Sequence, residues 1–239
     1  MQTVRSWATA NAFDYRFIDD HLFDYVPPWF LQKAGQQICP VTDLARLVVA
    51  REFLDQGYER TVWVDADMLV FAPDRMSVNI GKDFAFCSEI WLEQSASGQT
   101  VCSHRANNSI TVFTKGSIHL DFFIDACLRI AHHKPQLGKF DVGTTLLSQL
   151  RAILPFPLLT NVGMFSPAIM GDIAGGTEQY LRSYAQHLKA PLACANLCSS
   201  LQGQEVSGIP TDDRLYETVV EKCLQTSGAV VNRYIRQSG

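Results

Sequence analysis

Asp65 and Asp67 stand two residues apart in TVWVDADMLVFAPD (61–74), where one apolar run gives way to a second. Residues i and i+2 of a strand share a face, so both carboxylates are expected to aim at one point beyond the strand's end. In open α/β sheets the carboxyl ends of strands are where ligands bind. Two carboxylates on one side repel unless a cation lies between them. Hard divalent ions take carboxylate oxygens, and such an ion can neutralise the charge that builds on a departing diphosphate. A turn after a strand can also carry Asp-x-Asp, with one acid solvated and the other capping. The apolar chain on both sides favours the first reading, because a charged pair embedded there needs a partner.

The remaining polar candidates divide the same way. Arg46 lies on the helix that leads into this strand and either faces the acids or pairs on the surface with Asp43 or Glu52. Asp141 precedes a helical stretch and is a site acid or its N-cap. Asp19–Asp20 ends YRFID, where it binds hydroxyls or is solvated; Asp212–Asp213 starts a helix. Trp29 and Trp91 stack on a sugar ring or pack in the core. His187 sits in a helical pattern and reads as packed or solvated. His104, His119, His132 and His133 show no ligand spacing, and the last two end a helix, where protonated His suits the dipole.

The elements that must position these groups alternate between helix and strand. A short helix is expected over 2–12, a strand over 15–19, and a proline-broken stretch to Pro40. TDLARLVVAREFLDQG (42–57) has helical spacing, a cap at Thr42 or Asp43 and a stop at Gly57. RTVWVDAD follows as a continuous apolar strand of the kind buried on both faces in parallel sheets. Strands over 83–93 and 108–116, helices over 117–133 and 142–154, an extended stretch over 156–167, and helices over 176–189 and 211–228 complete the pattern. This predicts one α/β domain, 1–239, with a mainly parallel central sheet flanked by helices.

The bulk properties narrow the partners. The chain has 239 residues, 47% hydrophobic, and a net charge of −4, so no basic surface points to nucleic acid. Seven cysteines, an odd number without C-x-x-C, read as reduced buried thiols. The N-terminus lacks a signal-peptide pattern, and no apolar run reaches the roughly 18 residues of a membrane span. A soluble, cytoplasmic protein is expected.

DLARLVVAREFLDQGYERTVWVDADMLVFAPD (43–74) resembles the Asp-x-Asp region of glycosyltransferases with the GT-A fold, in which a helix bearing Arg or Lys leads into an apolar strand and the acidic pair. NNSITVFTKGS (107–117) resembles their asparagine-bearing strand, with Asn107 or Asn108 in the asparagine's place. KFDVGTTLLSQL (139–150) resembles the acidic turn and helix near the donor sugar, with Asp141 in the acid's place. The resemblance implies a single GT-A-like, Rossmann-like domain. It also implies that Asp67 chelates Mn²⁺ or Mg²⁺, that Asp65 touches the metal or ribose, that Arg46 contacts the phosphate or donor sugar, and that Asp141 assists the reacting centre. Two family features have no counterpart: the opening strand that holds the base, and a late histidine ligand. PLACANLCSSL (191–201) falls near that ligand's place and offers Asn196, Cys198 or Ser199, or is a buried strand end; Asn196 is the candidate third ligand, because an amide carbonyl suits a hard ion and a thiol does not.

The function implied is a metal-dependent hexosyl-type glycosyltransferase with a UDP- or GDP-sugar donor and a glycan, lipid or protein acceptor. Two alternatives stand beside it: a degenerate GT-A-like domain that binds without turnover, and a phosphohydrolase of the haloacid-dehalogenase type. In the latter, Asp-x-Asp follows an apolar strand but usually opens the domain.

Overall fold

The computed structural model describes residues 2–95 and 97–235. In chain order the elements are α1 (Gln2–Ala10), α2 (Pro28–Ala34), α3 (Ile38–Asp55), β1 (Arg60–Val64), β2 (Met68–Val70), β3 (Phe84–Gln94), β4 (Thr100–Thr114), α4 (Ile118–His133), α5 (Thr144–Ile153), β5 (Leu158–Leu159), β6 (Val162–Met164), α6 (Pro167–Gly175), α7 (Gln179–Ala185), β7 (Cys194–Asn196), β8 (Glu205–Val206), β9 (Ile209–Pro210), α8 (Asp213–Gln225) and α9 (Ala229–Asn232).

The strands form a four-stranded sheet in the order β1-β4-β3-β5, a three-stranded sheet in the order β2-β7-β6, and the pair β8-β9. β4 runs antiparallel to both β1 and β3, and only β5 joins β3 in parallel. In the second sheet β2 is antiparallel to β7 and β6 is parallel to it. The fold is therefore mixed α/β, and the expected mainly parallel central sheet is replaced by mixed sheets with antiparallel pairs. The apolar run of β1 misleads for a physical reason. Val62 and Val64 pack against one apolar cluster and Trp63 against another, so an antiparallel edge strand is covered on both faces and carries a parallel strand's pattern.

Other boundaries shift as well. α3 starts at Ile38, so Thr42 and Asp43 lie inside the helix rather than capping it. Pro40 is tolerated there because first-turn N–H groups have no intrahelical partner. YRFID (15–19) forms no strand, because no backbone among the described residues pairs with it; Asp19 instead caps a 3-10 turn by accepting the His21 N–H at 3.0 Å. β4 begins at Thr100, eight residues before the expected start, and the stretch 176–189 is helical only over α7. Asp212 caps α8 as expected, accepting the Leu215 N–H at 2.9 Å. No helix among the described residues is long and apolar enough to cross a membrane.

One side of the larger sheet is packed by aromatic rings. Phe86 meets Phe123 at 4.9 Å, Phe156 at 5.6 Å and Phe113 at 5.9 Å between centroids, all steeply inclined. Such edge-to-face pairs add to the burial energy. Phe86→Ala should lower the unfolding free energy by about 3–5 kcal/mol. Phe122→Ala, at a site 46% exposed, should stay within about 1 kcal/mol. Urea titration of both variants checks this, and equal losses would contradict the packing described.

Candidate functional site

Arg46 enters the interior from α3 and is 6% exposed. Its Nε donates to Thr42 O at 3.1 Å and its Nη1 to Asn108 O at 2.5 Å. Nη1 also lies 3.2 Å from Asp65 Oδ1, and Nη2 lies 3.5 Å from Asp43 Oδ1. The guanidinium sits 5.6 Å from the centre of the Trp63 ring. Trp63 Nε1 donates to Asp65 Oδ1 at 2.7 Å, and Asn108 Nδ2 to Asp43 Oδ1 at 2.8 Å. The cluster thus joins α3, the end of β1 and the middle of β4.

β1 ends at Val64, so Asp65 and Asp67 stand in a turn, closed by the Met68 N–H on Asp65 O at 3.1 Å. The shared-face geometry of a strand does not apply, and the two side chains have separate partners. Asp67 Oδ1 accepts from Asn196 Nδ2 at 2.7 Å, and Oδ2 accepts from Ser199 N at 2.9 Å and Ser199 Oγ at 3.1 Å. The register Met68↔Asn196 between β2 and β7 sets Asn196 there. Its carbonyl oxygen accepts the Cys198 N–H at 2.7 Å. Asn196 therefore orients Asp67 through its amide nitrogen.

Adjacent strand residues face opposite ways, and this separates the two asparagines. Asn108 belongs to the Arg46 cluster, whereas Asn107 donates to Glu89 Oε2 at 2.7 Å. Asp141 is held by Lys134 Nζ at 2.7 Å and by the Gly138 N–H at 2.7 Å, and its carboxyl is shifted down chiefly by the bond to Lys134. It does not cap α5, whose N-cap is Gly143. The same loop nevertheless abuts the cluster. A Cβ on Gly143 would fall 2.2 Å from Asp43 Oδ2, so this close approach requires glycine.

Asp43 and Asp65 thus share one guanidinium, and the charge of Asp67 lies close enough to act on Asp65. Burial pushes the Asp65 carboxyl up to about 6; Arg46 opposes the shift and the Asp67 charge adds to it. Burial also raises Asp43, against Arg46 and Asn108. Asp65 keeps 24% of its side chain exposed, and its Oδ2 takes no hydrogen bond among the described residues.

Beside Asp65 a cleft of about 440 Å³ runs along β1, walled by Trp7, Phe13, Tyr15, Val62, Trp63 and Arg46. That volume suits a small-molecule ligand. β1 is an edge strand. Asp65 N bonds Ser109 O and Lys115 N bonds Glu59 O. Ladder alternation therefore turns the N–H and C=O groups of Arg60, Val62 and Val64 away from β4, toward the open edge. Thr61, which also lines the cleft, has a buried hydroxyl without a partner among the described residues. Trp63 and Asp43 were not anticipated as site residues. Trp63 could have been found from its place two residues before Asp65, on the same strand face.

Comparisons with family models, with curated proteins and with solved structures return no match.

The raised Asp65 carboxyl sets a sign for pH. The folded state holds this proton more tightly than the unfolded chain, so its contribution to stability is full below about pH 4 and is lost as pH rises through about 6. Urea titrations across this window should show wild type losing stability relative to Asp65→Asn as pH rises. A constant difference would contradict the assignment.

Proposed function

We propose that the protein is a metal-dependent glycosyltransferase that moves a sugar from a nucleotide-sugar donor to an acceptor hydroxyl. One observation carries the reading: a carboxylate-rich cluster, short of positive charge, opens onto a ligand-sized cleft at the end of β1. Asp65, through its free Oδ2, and Asp67 would hold Mn²⁺ or Mg²⁺, since hard ions suit carboxylate oxygens. The bound ion supplies Lewis-acid neutralisation of the leaving diphosphate.

The chain's own residues do the rest. Arg46 and Trp63 fix Asp65, and Asn196 and Ser199 fix Asp67, so both acids are oriented before a ligand arrives. A nucleobase edge presents the alternating donors and acceptors that the free backbone of Arg60, Val62 and Val64 can meet, with aromatic rings for its faces. Asn108 and Asp43 form the floor of the cluster. Asp141 would assist the sugar only after leaving Lys134. The donor is assigned as a UDP- or GDP-sugar and the acceptor as a glycan, lipid or protein hydroxyl. The seven free cysteines support a reducing, cytoplasmic setting.

One observation favours a second reading, binding without turnover: both Asp67 oxygens already accept hydrogen bonds. Release of nucleotide diphosphate from a donor sugar separates the two.

Calorimetric titration of UDP and GDP, with and without Mn²⁺, tests the donor site. Binding of one nucleotide should require Mn²⁺. Asp67→Ala should weaken it roughly tenfold to a hundredfold, the cost of losing one charged contact. Binding of neither nucleotide, or binding indifferent to Mn²⁺ and to Asp67→Ala, would overturn the proposal.

A further inference from the structure

Away from the Arg46 cluster, three soft ligands meet on the other apolar side of the large sheet. Cys102 and His104 are two apart on β4, so their side chains share a face. Opposite them on β3 stand Leu92 and Ile90, both buried in the first apolar cluster. His187 comes from the turn that ends α7, where its N–H bonds Tyr184 O at 3.0 Å. His104 Nε2 lies 3.2 Å from His187 Nδ1 and 3.8 Å from Cys102 Sγ, and all three ligand atoms lie within 4.8 Å of one another.

These separations can be compared with those that a tetrahedral ion imposes. Bonds of about 2.0–2.1 Å to imidazole nitrogen and about 2.3 Å to thiolate place two nitrogens about 3.3 Å apart, and a sulfur about 3.6 Å from each nitrogen. Two of the three edges are thus within a few tenths of an ångström of these values. The third, Cys102 to His187, is no longer than 4.8 Å and would close by side-chain rotation of His187, which is half-buried on a turn.

We propose that Cys102, His104 and His187 form a binding site for a transition-metal ion of the zinc class, with three protein ligands and solvent in the fourth position. Thiolate and imidazole select such ions over the hard ions that suit Asp65 and Asp67. Cys102 and His187 are half-buried while His104 is exposed, which leaves a solvent path for the ion and its fourth ligand. On binding, the Cys102 S–H bond breaks, the proton passes to solvent, and the sulfur electron pair forms the bond to the metal. The two imidazoles bind neutral.

The site would clip the outer part of the β3–β4 hairpin to the end of α7. Tyr184, in the last turn of α7, accepts the Met164 N–H at 3.1 Å. Met164 in turn pairs with Asn196, the residue that orients Asp67. The clip therefore braces the strand end behind the acidic turn. It does not rest on the glycosyltransferase reading.

Cobalt titration of the chelator-treated full chain tests this. One equivalent of Co²⁺ should give a near-ultraviolet thiolate-to-cobalt band with visible ligand-field bands, and Zn²⁺ should displace it. Cys102→Ser should abolish the thiolate band, and Cys39→Ser should leave it intact. His104→Gln, a change at an exposed side chain that spares the packing, should weaken Zn²⁺ binding by more than the roughly ten- to hundredfold that losing an outer-shell partner costs. Absence of a thiolate band at stoichiometric Co²⁺ would overturn the assignment. So would a band that survives Cys102→Ser, or Zn²⁺ affinity unchanged in His104→Gln.

Discussion

The buried guanidinium of Arg46 is the constraint on which the site's architecture turns. A buried charge is tolerated only when paired and hydrogen-bonded, and Arg46 meets that demand from three elements at once. Thr42 and Asp43 come from its own helix, Asp65 from the end of β1, and Asn108 from β4. The helix can present Asp43 inward because it begins at Ile38, which frees that carboxylate from a capping role. Gly143 lets the loop before α5 close over Asp43 without a side chain in the way. The bonds that satisfy Arg46 are the same ones that aim Asp65 at the cleft.

Arg46 pairs with two carboxylates, Asp43 and Asp65; burial raises both against its pull, and the Asp67 charge adds to the rise of Asp65. A divalent cation beside Asp65 would favour its charged form. Asp67 is tied differently, by the β2–β7 pairing that brings Asn196 and Ser199 to it. Two independent supports, one from each sheet, thus deliver the two acids to neighbouring positions in a turn.

Much of this was legible in the sequence, and the failures have identifiable causes. The acidic pair could be read because charged groups inside apolar chain need partners; Arg46 and Asn107 or Asn108 came through the family resemblance, and the structure sets Asn108, not Asn107, beside Arg46. The direction of the sheet could not be read, because an edge strand covered on both faces carries the pattern of a parallel core strand. Residues 101–108 belong to β4, but most of their side chains are polar and at least half-exposed, so the stretch lacks the apolar alternation by which strands are recognised. Cys102 reads as one buried thiol among seven and His104 as a histidine without ligand spacing for the same reason, since their shared face follows only once that stretch is known to be a strand. His187 lies 83 residues from His104, and no local spacing connects them. Asp141 and Asn196 stand near the site, but tertiary partners, Lys134 and Asp67, decide where their side chains point.

The indole N–H of Trp63 donates directly to Asp65 and so reports on the cluster's occupancy. The chain has four tryptophans, Trp7, Trp29, Trp63 and Trp91, and their indole signals can be resolved by ¹⁵N-edited NMR and assigned with Trp63→Phe. Trace Mn²⁺ added with UDP or GDP should broaden the Trp63 signal beyond detection, while Trp29, on α2, stays sharp. A Trp63 signal that stays as sharp as that of Trp29 would place the cation elsewhere and contradict the account of the acidic pair.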